Sequence, residues 1–186
     1  MSVSSKVARI ELKQSAVAKV IAKYPHLIPV AGSCSCTTAA KNIRIELKRA
    51  FPGVKFSVKS RKFSIGDEID VMWTDGPQSK QVDVITERYS VGSLDGMTDC
   101  YHYAAAFTEA FGDAKFIHTS REYSDRFVGM MLDRISRRHG GDRKTVKDYH
   151  QGRCLVWQNE GGDDLHQRLS AALARHTFCI TQDAHS

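Results

Sequence analysis

Hydrophobic and polar positions change period several times along this chain, and the clearest changes fall between residues 37 and 99. Ala39, Ile43, Leu47, Ala50 and Phe51 recur at helical spacing behind Thr37 and Thr38, which predicts a capped amphipathic helix stopped at Pro52-Gly53. Strict alternation follows: Val54, Phe56 and Val58 point one way, Lys55, Ser57 and Lys59 the other. A turn over Ser64 to Asp67 leads to Ile69, Val71 and Trp73, the inward set of a second strand. Asp75-Gly76-Pro77 then ends the strand and opens a helix, with Pro77 at its first position and Val82, Ile85 and Tyr89 on its buried side. The expected unit is α-β-β-α, with one packed sheet face.

The same reading extends to both sides. Val7, Ile10, Val17, Val20, Ile21 and Tyr24 predict an N-terminal amphipathic helix within 1–30, ending at Pro25. Ala104 to Phe111 has helical composition and stops at Gly112, and Lys115 to Thr119 reads as a strand. Ser124 caps a helix from Asp125 to Arg138 whose buried stripe is Phe127, Met130, Met131 and Ile135. His139 to Gln151 reads as a mobile excursion, and Cys154 to Trp157 as a late strand. Asp163 or Asp164 caps a last helix carrying Leu165, Leu169, Ala172 and Leu173, and Phe178 and Ile180 suggest a short final strand. The expected fold class is α+β: a single domain over 1–186, with the α-β-β-α core unit in 37–125, flanking helices and short strands, and a C-terminal helical extension over 126–186.

Charge changes what the exposed faces mean. The formal net charge is +6 and the pI is near 9.1. Lys41, Arg44 and Lys48 share one side of the first core helix, and Lys55, Lys59, Arg61 and Lys62 follow on the hairpin. If helix edge and outer sheet face are contiguous, they form a cationic surface suited to phosphates; the competing reading is a solvated face that binds nothing. Arg134, Arg137, Arg138 and Arg143 form a second cluster around a helix end and a glycine turn. The helix dipole accounts for part of that cluster, and phosphate contact accounts for its density.

Several segments, AAKNIRIELKRAFPGVKFSVKS (39–60), IDVMWTDGP (69–77), GSLDGMTDCYHY (92–103) and the stretch Ile117 to Asp125, together resemble the large polyvalent protein-associated domain of type 29. FPGVKFSV, WTDGP and DGMTD are the most specific parts, and the likeness covers roughly the middle half of the chain. The resemblance implies a phage, plasmid or other mobile-element context, in which such domains accompany proteins thought to protect incoming DNA against host defence. It brings no settled catalytic residues.

Chemistry beyond binding has few candidates. Asp95, Asp99 and His102 are the carboxylates and imidazole that acid-base or hydrolytic chemistry would use, although Asp95-Gly96 also makes a turn and Asp99 also suits a helix cap. Cys34 and Cys36 with Cys100 and His102 are the two pairs a zinc ion would need, but their one-residue spacing makes a strained chelate and reduced thiols are the simpler reading. No GxSxG elbow, P-loop, dinucleotide fingerprint or HExxH occurs, and no cofactor is expected. No apolar run reaches the roughly 20 residues needed to span a bilayer, and the start lacks a secretory core, so a cytoplasmic protein with free thiols and no membrane partner is expected. The leading expectation is a non-catalytic counter-defence protein of anti-CRISPR or antirestriction type, whose partner is a host defence effector complex or its DNA or RNA. A general DNA- or RNA-binding accessory protein and a hydrolase or nuclease using Asp95, Asp99 and His102 are the alternatives. Oligomeric state is left open.

Overall fold

A computed structural model describes residues 14–31, 34–91, 98–140 and 142–177; the side chains of 98–104 are outside this description. The elements in order are a helix over 14–23 (α1), α2 (Ser35–Ala50), β1 (Phe56–Phe63), β2 (Gly66–Thr74), α3 (Ser79–Thr86), a 3-10 turn at Glu87–Tyr89, α4 (Thr98–Phe111), β3 (Phe116–Glu122), α5 (Asp125–His139), α6 (Val146–His150), a 3-10 turn at Arg153–Val156, and α7 (Leu165–Arg175). The class is α+β, and the three strands form one sheet in the order β1-β2-β3. Two compact units are distinguished, residues 1–72 with 80–120, and residues 73–79 with 121–186.

In the first unit the period-2 pattern places Val58, Ile69 and Val71 inside. The outer positions pair with each other across strands, Arg61 with Asp70 at 3.4 Å and His118 with Glu68 at 3.3 Å. α2 buries Ala39, Ala40, Ile43 and Leu47, and Arg44 donates to the Val58 carbonyl of β1. Asn42, fully buried, holds three backbone groups: it accepts from Ile28 N at 2.8 Å and donates to the carbonyls of Ile28 and Phe111 at 2.9 Å each. A buried amide survives there because its polar atoms are satisfied. Behind it, Phe107 packs edge-on against Tyr24, Tyr89 and Phe111, with ring centroids 5.1–5.5 Å apart.

The second unit is built on α5 and α7, whose Phe127, Val128, Met131, Leu132, Ile135, Leu165, Leu169 and Leu173 enclose Cys154 and Trp157. Ser124 caps α5 by accepting from Phe127 N at 3.2 Å, and Asp164 caps α7 by accepting from Gln167 N at 2.9 Å.

Five local expectations are corrected. α2 begins at Ser35, so Thr37 and Thr38 lie within its first turn, and its N-cap position, Cys34, makes no side-chain capping bond. Pro77 precedes α3 by two residues, because residues 75–77 form a separate bend. Met130 is exposed, not part of the α5 stripe. The segment expected to be a mobile excursion contains α6, held by a capping box in which Asp148 N donates to Thr145 Oγ1 and Thr145 N to Asp148 Oδ2. Finally, Cys154 to Trp157 is no strand: Gly152 adopts a left-handed φ of 71° and starts a 3-10 turn that buries Cys154 and Trp157 and leaves Leu155 and Val156 out. A single turn with inward residues three apart gives the same apolar density as a strand. The suggested strand at Phe178 and Ile180 lies outside the described residues.

Candidate functional site

Because α2 turns about 100° per residue, Lys41, Arg44 and Lys48 fall within about 60° of its circumference. All three are exposed. Arg44 faces β1 and spends one of its donors on the Val58 carbonyl, leaving the rest of its planar fork outward. Val58 points inward, so alternation sends Lys59 to the outer face, and Lys55 shares its parity. The structure therefore puts Lys41, Arg44 and Lys48 on one flank of α2 beside β1, with Lys55 and Lys59 around the strand's other side. Arg61 is also outward, but Asp70 pairs with it, and Glu68 adds a second carboxylate to that face. Lys62 is exposed at the inward parity of β1. The outer sheet face is thus mixed in charge, and the uncompensated cations gather toward α2.

The arginines of the second unit divide similarly. Arg137 and Arg143 both turn to Asp133, at 3.6 and 2.9 Å. Arg134 and Arg138 are exposed on α5.

A different constellation lies on the other flank of α2. Glu46 is buried among the helix's apolar residues, receiving Arg88 Nη2 at 2.6 Å and the Tyr89 hydroxyl at 2.7 Å. Burial, with the Glu46 charge beside it, pushes the Tyr89 phenol well above its ordinary range, so it stays a neutral donor. The Arg88 guanidinium sits over the rings of Phe107 and Tyr24 at 5.3 and 5.9 Å. Its Nε is buried without a hydrogen-bond partner. Tyr24, Glu46 and Arg88 border an open cavity of about 590 Å³, lined also by Lys23, Pro25, His26, Arg49, Ala50 and Ile85.

Two of the segments singled out by the resemblance, 69–77 and 117–125, meet in the second unit at Asp75 and Arg121. Asp75 is fully buried, has a left-handed φ of 58°, and accepts from Ser124 N at 2.9 Å through Oδ1. Arg121 donates to the carbonyls of Asp75 and Gly76 at 3.1 Å each, and to those of Leu173 and His176 at 3.1 and 2.8 Å. Its plane covers Tyr123 and Phe127. Asp75 and Arg121 therefore act as a clamp on the last turn of α7, a structural task.

Asp95 lies outside the described residues, as do the side chains of Asp99, Cys100 and His102. Cys34 is exposed, and Cys36 is buried, its thiol raised to about 11 chiefly by burial. Among the described residues no group of three or more His, Cys, Asp or Glu is arranged to hold a metal, and no helix is long and apolar enough to cross a membrane.

Sequence reasoning missed Glu46, Arg49, Arg88 and Arg121 as site residues. One signal was available: Asn42 and Glu46, four apart, fall on the buried side of an otherwise apolar stripe, where a polar pair requires partners.

Residues 34–124 match the family model of large polyvalent protein associated domain 29. No curated protein and no solved structure matches the chain.

Proposed function

Taking as premise that residues 34–124 carry the large polyvalent protein associated domain 29, and that the chain is accordingly a mobile-element-associated protein, we propose that it acts as a counter-defence binding protein. In this reading it inhibits a host nucleic-acid-targeting system, of anti-CRISPR or antirestriction type, without turnover, by occupying an effector or its nucleic acid. The observation that carries the reading is the flank of α2: Lys41, Arg44 and Lys48 are exposed together beside the edge strand β1. Charge of this sign excludes imitation of DNA and suits either phosphate or an acidic protein surface.

Salt dependence separates those two surfaces. If the five lysines and arginines at 41, 44, 48, 55 and 59 each neutralise a phosphate, the log-log slope for duplex DNA is about −4.5, or an affinity loss of about 500-fold between about 50 and 200 mM salt. Capture from host lysate by the tagged full chain, with and without nuclease, identifies the partner and whether nucleic acid mediates the contact. Lys41→Glu with Lys48→Glu should abolish capture while leaving the circular dichroism spectrum intact. Undiminished capture by that folded double variant would overturn the reading.

A further inference from the structure

We propose that the outer edge of β1 adds an extended, acidic segment of a partner protein as a further strand of the sheet. The inference rests on the counter-defence reading of the cationic α2 flank and names the kind of partner that surface takes.

The hydrogen-bond parity of the sheet fixes what this edge offers. β1 ends at Phe63 and β2 begins at Gly66, so Phe63 and Gly66 close a two-residue hairpin as a hydrogen-bonded pair. Odd-numbered residues of β1 therefore turn their backbone groups to β2, and Val58, Ser60 and Lys62 turn theirs away. Two contacts agree with that parity. Arg44 reaches the Val58 carbonyl from α2, and just past the end of β2 Asp75 N donates to the Glu122 carbonyl of β3 at 2.8 Å, as odd-numbered residues of that strand should. Among the described residues no strand lies on the outer edge of β1. Arg44 satisfies the Val58 carbonyl, which leaves the backbone groups of Ser60 and Lys62 to pair. Both residues are exposed although they share the inward parity of Val58, so this half of β1 projects past the core.

Charge and hydrogen-bond type then choose the occupant. Lys41, Arg44 and Lys48 stand on the flank of α2 beside β1, and Lys59 stands on the outer sheet face; all are exposed, whereas Arg61 is already engaged by Asp70. A segment laid along β1 thus has cations on both sides, which attract carboxylates and repel a second copy of the same strand. Phosphate supplies acceptors alone and would leave the Ser60 and Lys62 carbonyls without donors. A peptide strand supplies alternating N–H and C=O groups that match the edge, so its main chain contributes affinity and the flanking charges select its acidic side chains.

Fluorescence anisotropy of the full chain with a labelled octapeptide of alternating Glu and Thr, matched to the 8 residues of β1, tests the assignment. The peptide should bind saturably. Its backbone N-methylated form, which keeps every carboxylate and loses the donors, should bind at least about 10-fold more weakly. Ser60→Pro removes one outward N–H at an edge position that tolerates proline, and should weaken binding about 10-fold or more with an unchanged circular dichroism spectrum. The N-methylated peptide decides the matter even where that variant fails to fold. Loss of capture from host lysate by the Lys41→Glu, Lys48→Glu variant, beside full capture by folded Ser60→Pro, would defeat strand addition and leave the counter-defence surface standing. Absence of peptide binding, equal affinity for the N-methylated form, or tighter binding of an oligothymidylate of the same length would each overturn the proposal.

Discussion

Removing the guanidinium of Arg121 tests the claim that the Asp75 bend and the last turn of α7 are held by one side chain. Arg121 donates to four carbonyls at 2.8–3.1 Å, two on Asp75 and Gly76 and two at the end of α7. Truncation to alanine affects the two pairs unequally. Carbonyls at a helix terminus can turn to water, whereas Asp75 and Gly76 are buried and would each be stranded at about 1–3 kcal/mol. Loss of the guanidinium from the faces of Tyr123 and Phe127 adds about 0.5–1 kcal/mol. Arg121→Ala is therefore expected to cost about 4 kcal/mol. Arg121→Lys, which keeps the charge and replaces a planar fork by one ammonium, should lose about half of that. Both tryptophans of the chain, Trp73 and Trp157, belong to the same unit as Arg121, so urea unfolding followed by tryptophan fluorescence reads the right region. With an m-value of about 2 kcal/mol/M, the midpoint of the alanine variant should fall by about 2 M at unchanged slope. An alanine midpoint within about 0.25 M of wild type would refute the clamp, and so would a lysine variant no better than alanine.

Two further substitutions and a pH series probe the first unit. Gly112 has φ 90°, and a Cβ there would lie 2.3 Å from the Ser35 carbonyl oxygen, so Gly112→Ala should destabilise by about 2–4 kcal/mol in thermal or urea unfolding, and a loss under about 1 kcal/mol contradicts the close approach. Cys36, raised from 9.0 to about 11 by burial, favours the protonated thiol in the fold. Its contribution is present in full below pH 9 and declines as pH rises from 9 to about 11, by about 1.4 kcal/mol per pH unit. The stability gap between wild type and Cys36→Ala should accordingly narrow steadily across that interval; a gap independent of pH would show that the thiol ionises as freely in the folded chain as in the unfolded one.

Local signals were legible wherever one period held over several residues. Alternation alone marks Val54, Phe56, Val58, Ile69, Val71 and Trp73 as the inward set, and of these Val58, Ile69, Val71 and Trp73 are buried while Val54 and Phe56 are half-buried. Ser124 and Asp164 were legible as caps because a short acceptor before an apolar run satisfies amides that have no other partner. Failure came where different geometries give the same string. A four-residue apolar run bounded by turn residues fits a strand or a 3-10 turn equally, and only the left-handed Gly152 decided between them at Cys154 to Trp157. The cavity was illegible for another reason. Its lining comes from residues 23–26, 46–50 and 85–88, and no periodicity relates segments so far apart in the chain; Arg88 meets Glu46 across 42 positions.

The placement of Glu46 explains why α2 can present two kinds of surface at once. An amphipathic helix needs only one apolar stripe, here Ala39, Ala40, Ile43 and Leu47, and its two edges are free to differ. On the edge beside β1, Arg44 reaches a backbone carbonyl and its lysine neighbours keep their hydration. There charge acts over a distance and weakens with salt. On the opposite edge Glu46 is buried under Arg88 and Tyr89, and screening by solvent is reduced at that carboxylate. The same residue types therefore differ in chemistry according to what their helix edge packs against. Solvated charge belongs to the first edge, and a carboxylate neutralised by buried partners to the second.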